Sequence, residues 1–224
     1  MSSDEIILVA DIPVRLVKST KAKHILLKQN TKGEIILTCP RFCPKMMAIT
    51  FAKGQAAWIR AHVQYGPKET IFSPKDVVTI LGEKYALRQG KTTQYGRGVL
   101  TVSGSPEFFH RRVCSCAQKM LLSYIQSRVG ELTKKLGVKA GRITLKNTSS
   151  RWGSCSSSKN LSFCWKIAFA PLNVIDYLVI HEVSHLVQMN HGAKFWGIVD
   201  SLTKYRQSAE KWLKTNGRYL QSIK

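Results

Sequence analysis

The stretch "HEVSHLVQMNH", His181 to His191, constrains this chain more than any other. All of it but His191 lies within "LNVIDYLVIHEVSHLVQMN", read as a helix opened by Pro171. Leu178, Val179, Ile180, Val183, Leu186 and Val187 make that helix apolar nearly all round, so it must be buried. Buried polar groups without partners are costly, roughly 2–7 kcal/mol each. Two histidines and a glutamate in such a helix therefore demand something to bind. Ordinary hydrogen bonds would satisfy a lone histidine; for this triple a shared metal ion is the stronger reading.

Residues four apart lie one turn apart on one helix face, so His181 and His185 can aim two imidazoles at one point. Glu182 is offset by about 100° and falls beside that point. The helix is predicted to end near Asn190, with Gly192 letting the chain double back so that His191 becomes a third ligand. Three neutral ligands leave the fourth position of a tetrahedral zinc open, the layout of a catalytic site. Zinc lowers the pKa of water to about 7. Glu182 is placed to take the proton as water attacks a carbonyl and to pass it to the leaving amine. The residues thus predict one Zn2+ per chain on His181, His185 and His191, with Glu182 as catalytic base and amide hydrolysis as the reaction. The substrate is expected along an edge strand before the helix, a place that "LSFCWKIAFA" occupies in the chain order.

Elsewhere the pattern is mixed. "KHILLKQ" and "EIILTC" read as strands joined by "NTKG", with Gly33 at positive φ. "KMMAITFAKGQAAWIRAHV" reads as a helix with Gly54 as its weak point. "VVTILG", "KYALRQG" and "GVLTVSG" read as strands. From Ser105-Pro106 a long helix runs through "EFFHRRVCSCAQKMLLSYIQSRVGELTKKL" to a C′ glycine at Gly137. "RITLK" and "NLSFCWKIAFA" read as strands, and two short helices close the chain. No internal repeat is apparent. The fold class is α+β: a β-rich region over 1–104, then an α+β core over 105–224, which can also fold as one unit.

The segment "RWGSCSSSKNLSFCWKIAFAPLNVIDYLVIHEVSHLVQMNHGAKFW", Arg151 to Trp196, resembles the core of the YgjP-like zinc metallopeptidase family, related to SprT-like and WLM-type proteins. "STKAKHILLKQNTKGEIILTCPRFCPK", "AAWIRAHV" and "KWLKTNG" extend the resemblance over nearly the whole chain. It implies a gluzincin-like, minimal-zincin catalytic core, with zinc on His181, His185 and His191 and Glu182 as base. Val183 and Ser184 stand where the family tends to carry Leu and Ala, and Cys164 where a polar residue is common. Gln188 replaces the glycine of metzincins, which argues against a Met-turn enzyme.

Other residues keep two readings. Arg151 or Cys155 can help substrate or oxyanion, or "RWGSC" is a tight turn with Gly153 giving backbone freedom and Trp152 plugging the core. Tyr177, Tyr205 and Tyr219 are each candidate oxyanion donors, and Asp176 and Asp200 candidate partners of the ligand imidazoles.

Charge sets the partner classes. Lys and Arg number 35 against 13 Asp and Glu, a formal net charge of +22. Such a surface attracts polyanions through non-specific phosphate contacts, or is basic for no local reason. A peptide or protein substrate is the leading expectation. The alternatives are a basic nucleic-acid-binding module with a non-catalytic zinc site, or a protease acting on DNA-bound proteins. No zinc finger, helix-turn-helix or RNA-binding motif appears. No run of about 18 apolar residues suggests a membrane span, and the start carries no secretory signal. Six cysteines without a CxxC pair read as reduced thiols. A cytoplasmic protein is expected.

Overall fold

A computed structural model describes residues 5–30, 33–64 and 69–224. The chain forms two compact units, Met1–Lys68 and Glu69–Lys224. The expected division near residue 104 therefore falls earlier. Strands over residues 77–103 belong with the second unit because their inner face, Val78, Ile80, Leu87, Leu100 and Val102, shares one core with the long helix that follows.

In the first unit, β1 (Glu5–Val9), β2 (Ile12–Ser19), β3 (Leu26–Gln29) and β4 (Ile35–Pro40) form a sheet of order β1-β2-β4-β3. The central pair β2 and β4 is parallel and both outer pairs are antiparallel. Helices α1 (Lys45–Gly54) and α2 (Ala56–Gln64) follow, the chain breaking at Gln55 beside the glycine singled out in sequence. Period-two burial of Ile7, Val9, Val14 and Leu16 builds one wall of this core, and Ala48, Ala52 and Ile59 join it. Gly33 takes φ +83°, as the turn chemistry requires; Thr31 and Lys32 of that turn lie outside the described residues.

The second unit opens with β5 (Val77–Ile80), β6 (Glu83–Gly90), β7 (Gln94–Gly96) and β8 (Val99–Ser103), ordered β5-β6-β8-β7. Strand order and senses repeat those of the first sheet, again with a parallel central pair. The first hairpins also match. Ala10 and Asp11 at φ +51° and +65° answer to Leu81 and Gly82 at +51° and +83°, the two-residue turn whose twist suits flanking strands. This structural repeat is silent in the sequence because Leu81 reads as part of a strand.

A short 3-10 turn (Pro106–Phe108) leads into α3 (Phe109–Leu136). Its Phe109, Val113, Ala117, Leu121, Ile125 and Val129 recur every fourth residue and are buried as one stripe. Gly137 ends it in the left-handed conformation, φ +66°, where Val138 N–H reaches back to Thr133 O. The second sheet of this unit comprises β9 (Ile143–Lys146), β10 (Gly153–Cys155) and β11 (Leu161–Cys164), ordered β10-β11-β9.

The predicted strand "NLSFCWKIAFA" is thus only partly extended. After Cys164 the chain coils into a 3-10 turn, Trp165–Phe169, in which every residue is buried. A run buried at every position, Lys166 included, carries no period, so burial alone did not separate strand from tight helix. Helices α4 (Leu172–Ser184), α5 (Ala193–Leu202) and α6 (Arg206–Ser222) complete the unit. No helix among the described residues is long and apolar enough to cross a membrane.

Leu121 is fully buried in the α3 stripe. Leu121→Ala is expected to lower stability by about 2–5 kcal/mol in urea unfolding, whereas Leu26→Ala, on an exposed strand position, is expected to stay within about 0.5 kcal/mol.

Candidate metal centre

Helix α4 begins at Pro171, whose fixed φ suits a helix start, and runs through the core to Ser184. It stops earlier than Asn190. His185 is the C-cap, and Leu186, Val187 and Gln188 N–H groups bond back to Val183 and Ser184 carbonyls in a closing turn. The chain then turns out, and Gly192 caps α5 in an extended conformation that any residue adopts, φ −84°. His191 is therefore brought back by the loop and by α5 packing, not by a left-handed glycine.

The three imidazoles converge. One ring nitrogen from each of His181, His185 and His191 lies within 4.8 Å of the others. His181 Nε2 faces His191 Nε2 at 3.1 Å. A tetrahedral zinc with bonds of about 2.0–2.1 Å sets its ligand atoms about 3.3–3.4 Å apart, so this pair is spaced to share an ion. His185 Nδ1 contacts Gln188 O at 3.2 Å, which leaves Nε2 as its ligand atom. His181 Nδ1 is buried without a hydrogen-bond partner among the described residues. Burial, then the neighbouring rings, lowers the His181 pKa to about 4, and burial also lowers that of His185. Both stay neutral at pH 7, the form that ligates a metal. The donor set fits zinc.

Phe195, fully buried, packs the cluster from behind. Its ring stacks on His185 at 4.5 Å and lies 5.0 Å from His181 and 4.7 Å from His191. Trp196 sits beside His181 and His191, and the Arg206 guanidinium lies over the Trp196 ring, 4.7 Å from its centroid. The sequence signal for Phe195 was its place four residues after His191, one turn into the next helix.

Glu182 is 5 % exposed. Burial pushes its carboxyl up to about 7, while the Arg151 charge pulls it down. The carboxyl lies against Gly153 of β10: a Cβ there would meet Glu182 Cγ at 2.7 Å. Gly153 is needed for space, not for a turn. Within "RWGSC" only Gly153–Cys155 form a strand, an edge strand pairing only with β11, while Trp152 lies in a bend before it. Trp152 does pack against the core, lying 3.1 Å from where a Gly217 side chain would begin.

The expected edge strand moves accordingly. β11 is the middle strand, flanked by β9 and β10, so its ladder is filled. The free edge beside Glu182 belongs to β10. Asp176 and Asp200 are also elsewhere engaged. Asp176 accepts from Arg128 Nε at 2.6 Å and from Tyr124, and Asp200 pairs with Arg206. Tyr177 Oη donates to Glu210 at 2.7 Å, with its ring edge-on to His181 at 5.9 Å. Tyr205 and Tyr219 are exposed. Cys155 carries a raised pKa, from burial and then from Glu182, so it is a thiol rather than an anion.

Gly153→Ala is expected to cost about 1–3 kcal/mol, the usual penalty of overpacking, and to displace the Glu182 carboxyl while the three imidazoles stay in register. Thermal unfolding and a crystal structure of the variant check both.

A model of the YgjP-like metallopeptidase domain matches residues 23–216. No curated protein matches the sequence. Among solved structures, the metallopeptidase zymogen abylysin of Pyrococcus abyssi is 15 % identical with a TM-score of 0.38, covering 41 % of this chain and 93 % of that one. The metallopeptidase zymogen jannalysin of Methanocaldococcus jannaschii is 22 % identical with a TM-score of 0.36, covering 42 % and 88 %. With the match spanning all but the ends of the sequence, the chain belongs to the YgjP-like metallopeptidase family.

Proposed function

We propose that the chain is a zinc-dependent peptidase in which His181, His185 and His191 hold one zinc ion and Glu182 is the general base, within a minimal-zincin core. One observation carries the reading. A buried carboxyl is carried by the residue next to His181, yet it stands outside the group of three converging imidazoles. A structural zinc site has no use for such a group, whereas hydrolysis does. When bound, zinc supplies Lewis-acid polarisation and makes water easier to deprotonate.

The chain's own groups supply the rest. Glu182, poised near neutrality, accepts the proton of the attacking water and returns it to the leaving amine. The free edge of β10 offers main-chain groups to an extended substrate, which aligns its scissile bond beside Glu182. Phe195 and Trp196 hold the imidazoles in place and keep water from their buried side. A bound dication close to Glu182 lowers its pKa below the metal-free value. The acid limb of kcat/KM is therefore expected below pH 7.

Glu182→Gln keeps the shape of the site and removes the base. It is expected to retain zinc and fold while peptide cleavage falls by at least about 100-fold; cleavage at wild-type rates would sink the reading. Arg151→Gln removes a charge that lowers the Glu182 pKa. Its acid limb is expected to move to higher pH, read from the kcat/KM profile. A shift to lower pH would contradict the electrostatic assignment.

A further inference from the structure

The three-stranded sheet has a second face. Gly153, Leu161 and Phe163 point toward α4, as the burial of Leu161 and Phe163 and the contact of Gly153 with Glu182 show. By the pairing register, Ser154 and Ser162 sit opposite one another on the other face, where Ser162 Oγ meets Thr144 Oγ1 at 3.0 Å. A cavity of about 180 Å³ is lined by Lys146, Thr148, Arg151, Ser154 and Ser162, together with Gly153, Phe163 and Cys164. No acidic residue lines it. Among the described residues neither Lys146 nor Arg151 enters an ion pair, and the Ser154 hydroxyl makes no hydrogen bond. Thr148 Oγ1 donates to Arg151 O at 2.8 Å and braces the loop that carries the guanidinium.

An extended peptide on the free edge of β10 continues the pleat, so its side chains alternate between the two faces. One set turns toward Glu182, and the other turns toward this cavity. At 180 Å³ the cavity is smaller than the roughly 300–1,000 Å³ of small-molecule sites. It suits one side chain or chain end. Two unpaired cations and a free hydroxyl favour a carboxylate over a neutral or basic group.

We propose that this cavity is an anion subsite for a peptide carboxylate, from an Asp or Glu side chain or from a chain terminus. The substrate class rests on the peptidase reading, but the cavity and its charges do not. An acidic preference would also give a use to Lys146, which the hydrolytic centre leaves idle, and a second one to Arg151, whose charge also lowers the Glu182 pKa. The stretch between Glu131 and Asp176 contains no acidic residue to neutralise them.

The test is titration of the zinc-loaded full chain, followed by NMR at the Ser154 and Ser162 amides. The probes are N-acetyl-glutamate amide, N-acetyl-glutamine as the free acid, and N-acetyl-glutamine amide. Saturable shifts with the first probe support a side-chain carboxylate, and with the second a terminal one; the uncharged third is expected to give none. Lys146→Gln alone and Lys146→Gln/Arg151→Gln are expected to weaken saturation, the double variant roughly fivefold or more. Equal shifts with the uncharged probe, no saturable shift, or a stronger response to a short single-stranded oligonucleotide would each overturn the assignment. Cleavage of a peptide library by the same samples is read separately. Shifts without cleavage would remove the peptidase reading and support the subsite. Cleavage with no acidic enrichment and no shifts would do the reverse.

Discussion

The metal centre is shaped by one cost, that of drawing two imidazoles, His181 and His185, and the Glu182 carboxyl out of water, with His191 joining them from the exposed side. Helix α4 is buried along most of its length, and its polar groups cannot retreat to solvent. Neutralisation meets part of that cost: burial depresses the His181 and His185 pKa values and raises that of Glu182. The remainder shows as His181 Nδ1 without a partner and as two Nε2 atoms facing each other at 3.1 Å. Lone pairs so arranged repel unless something positive lies between them. A divalent ion shared by the Nε2 atoms answers the second and leaves His181 Nδ1 as a donor without an acceptor; its ligands must be neutral, the state that burial already enforces on His181 and His185.

The same cost shapes the neighbours. Phe195 closes the apolar side of the cluster, so the imidazoles open in one direction only. Gly153 gives way to the Glu182 side chain, so the edge strand passes at van der Waals distance from the base. Absence of a side chain at one position thus couples the sheet edge to the helix. Tyr177 with Glu210, and Asp176 with Arg128, tie α4 to α6 and α3. These partly buried contacts position the helix that carries His181 and His185, and the Tyr177 ring itself lies edge-on to His181.

Much of this was legible in the chain. The histidine spacing, the apolar helix after Pro171, the helix end at Gly137 and the positive φ of Gly33 all arise from local chemistry acting within a few residues. What escaped depends on distant partners. Asp176 meets Arg128 across 48 positions and Tyr177 meets Glu210 across 33, and no pattern in either segment announces the other. Gly153 looked like a turn glycine because its reason, Glu182, is 29 positions away (182 − 153). The run after Cys164 lacked the alternation that separates strand from 3-10 turn. The division at 68/69 turned on which helix buried the second sheet, a tertiary choice.

The central claim is that the three imidazoles exist to hold one ion. Its most direct test is zinc content by mass spectrometry on the purified wild type and on His185→Ala. One zinc per wild-type chain, lost in a folded variant, is the predicted result. Well-folded wild type that takes up no zinc after it is added back would contradict the account and leave the buried histidines unexplained.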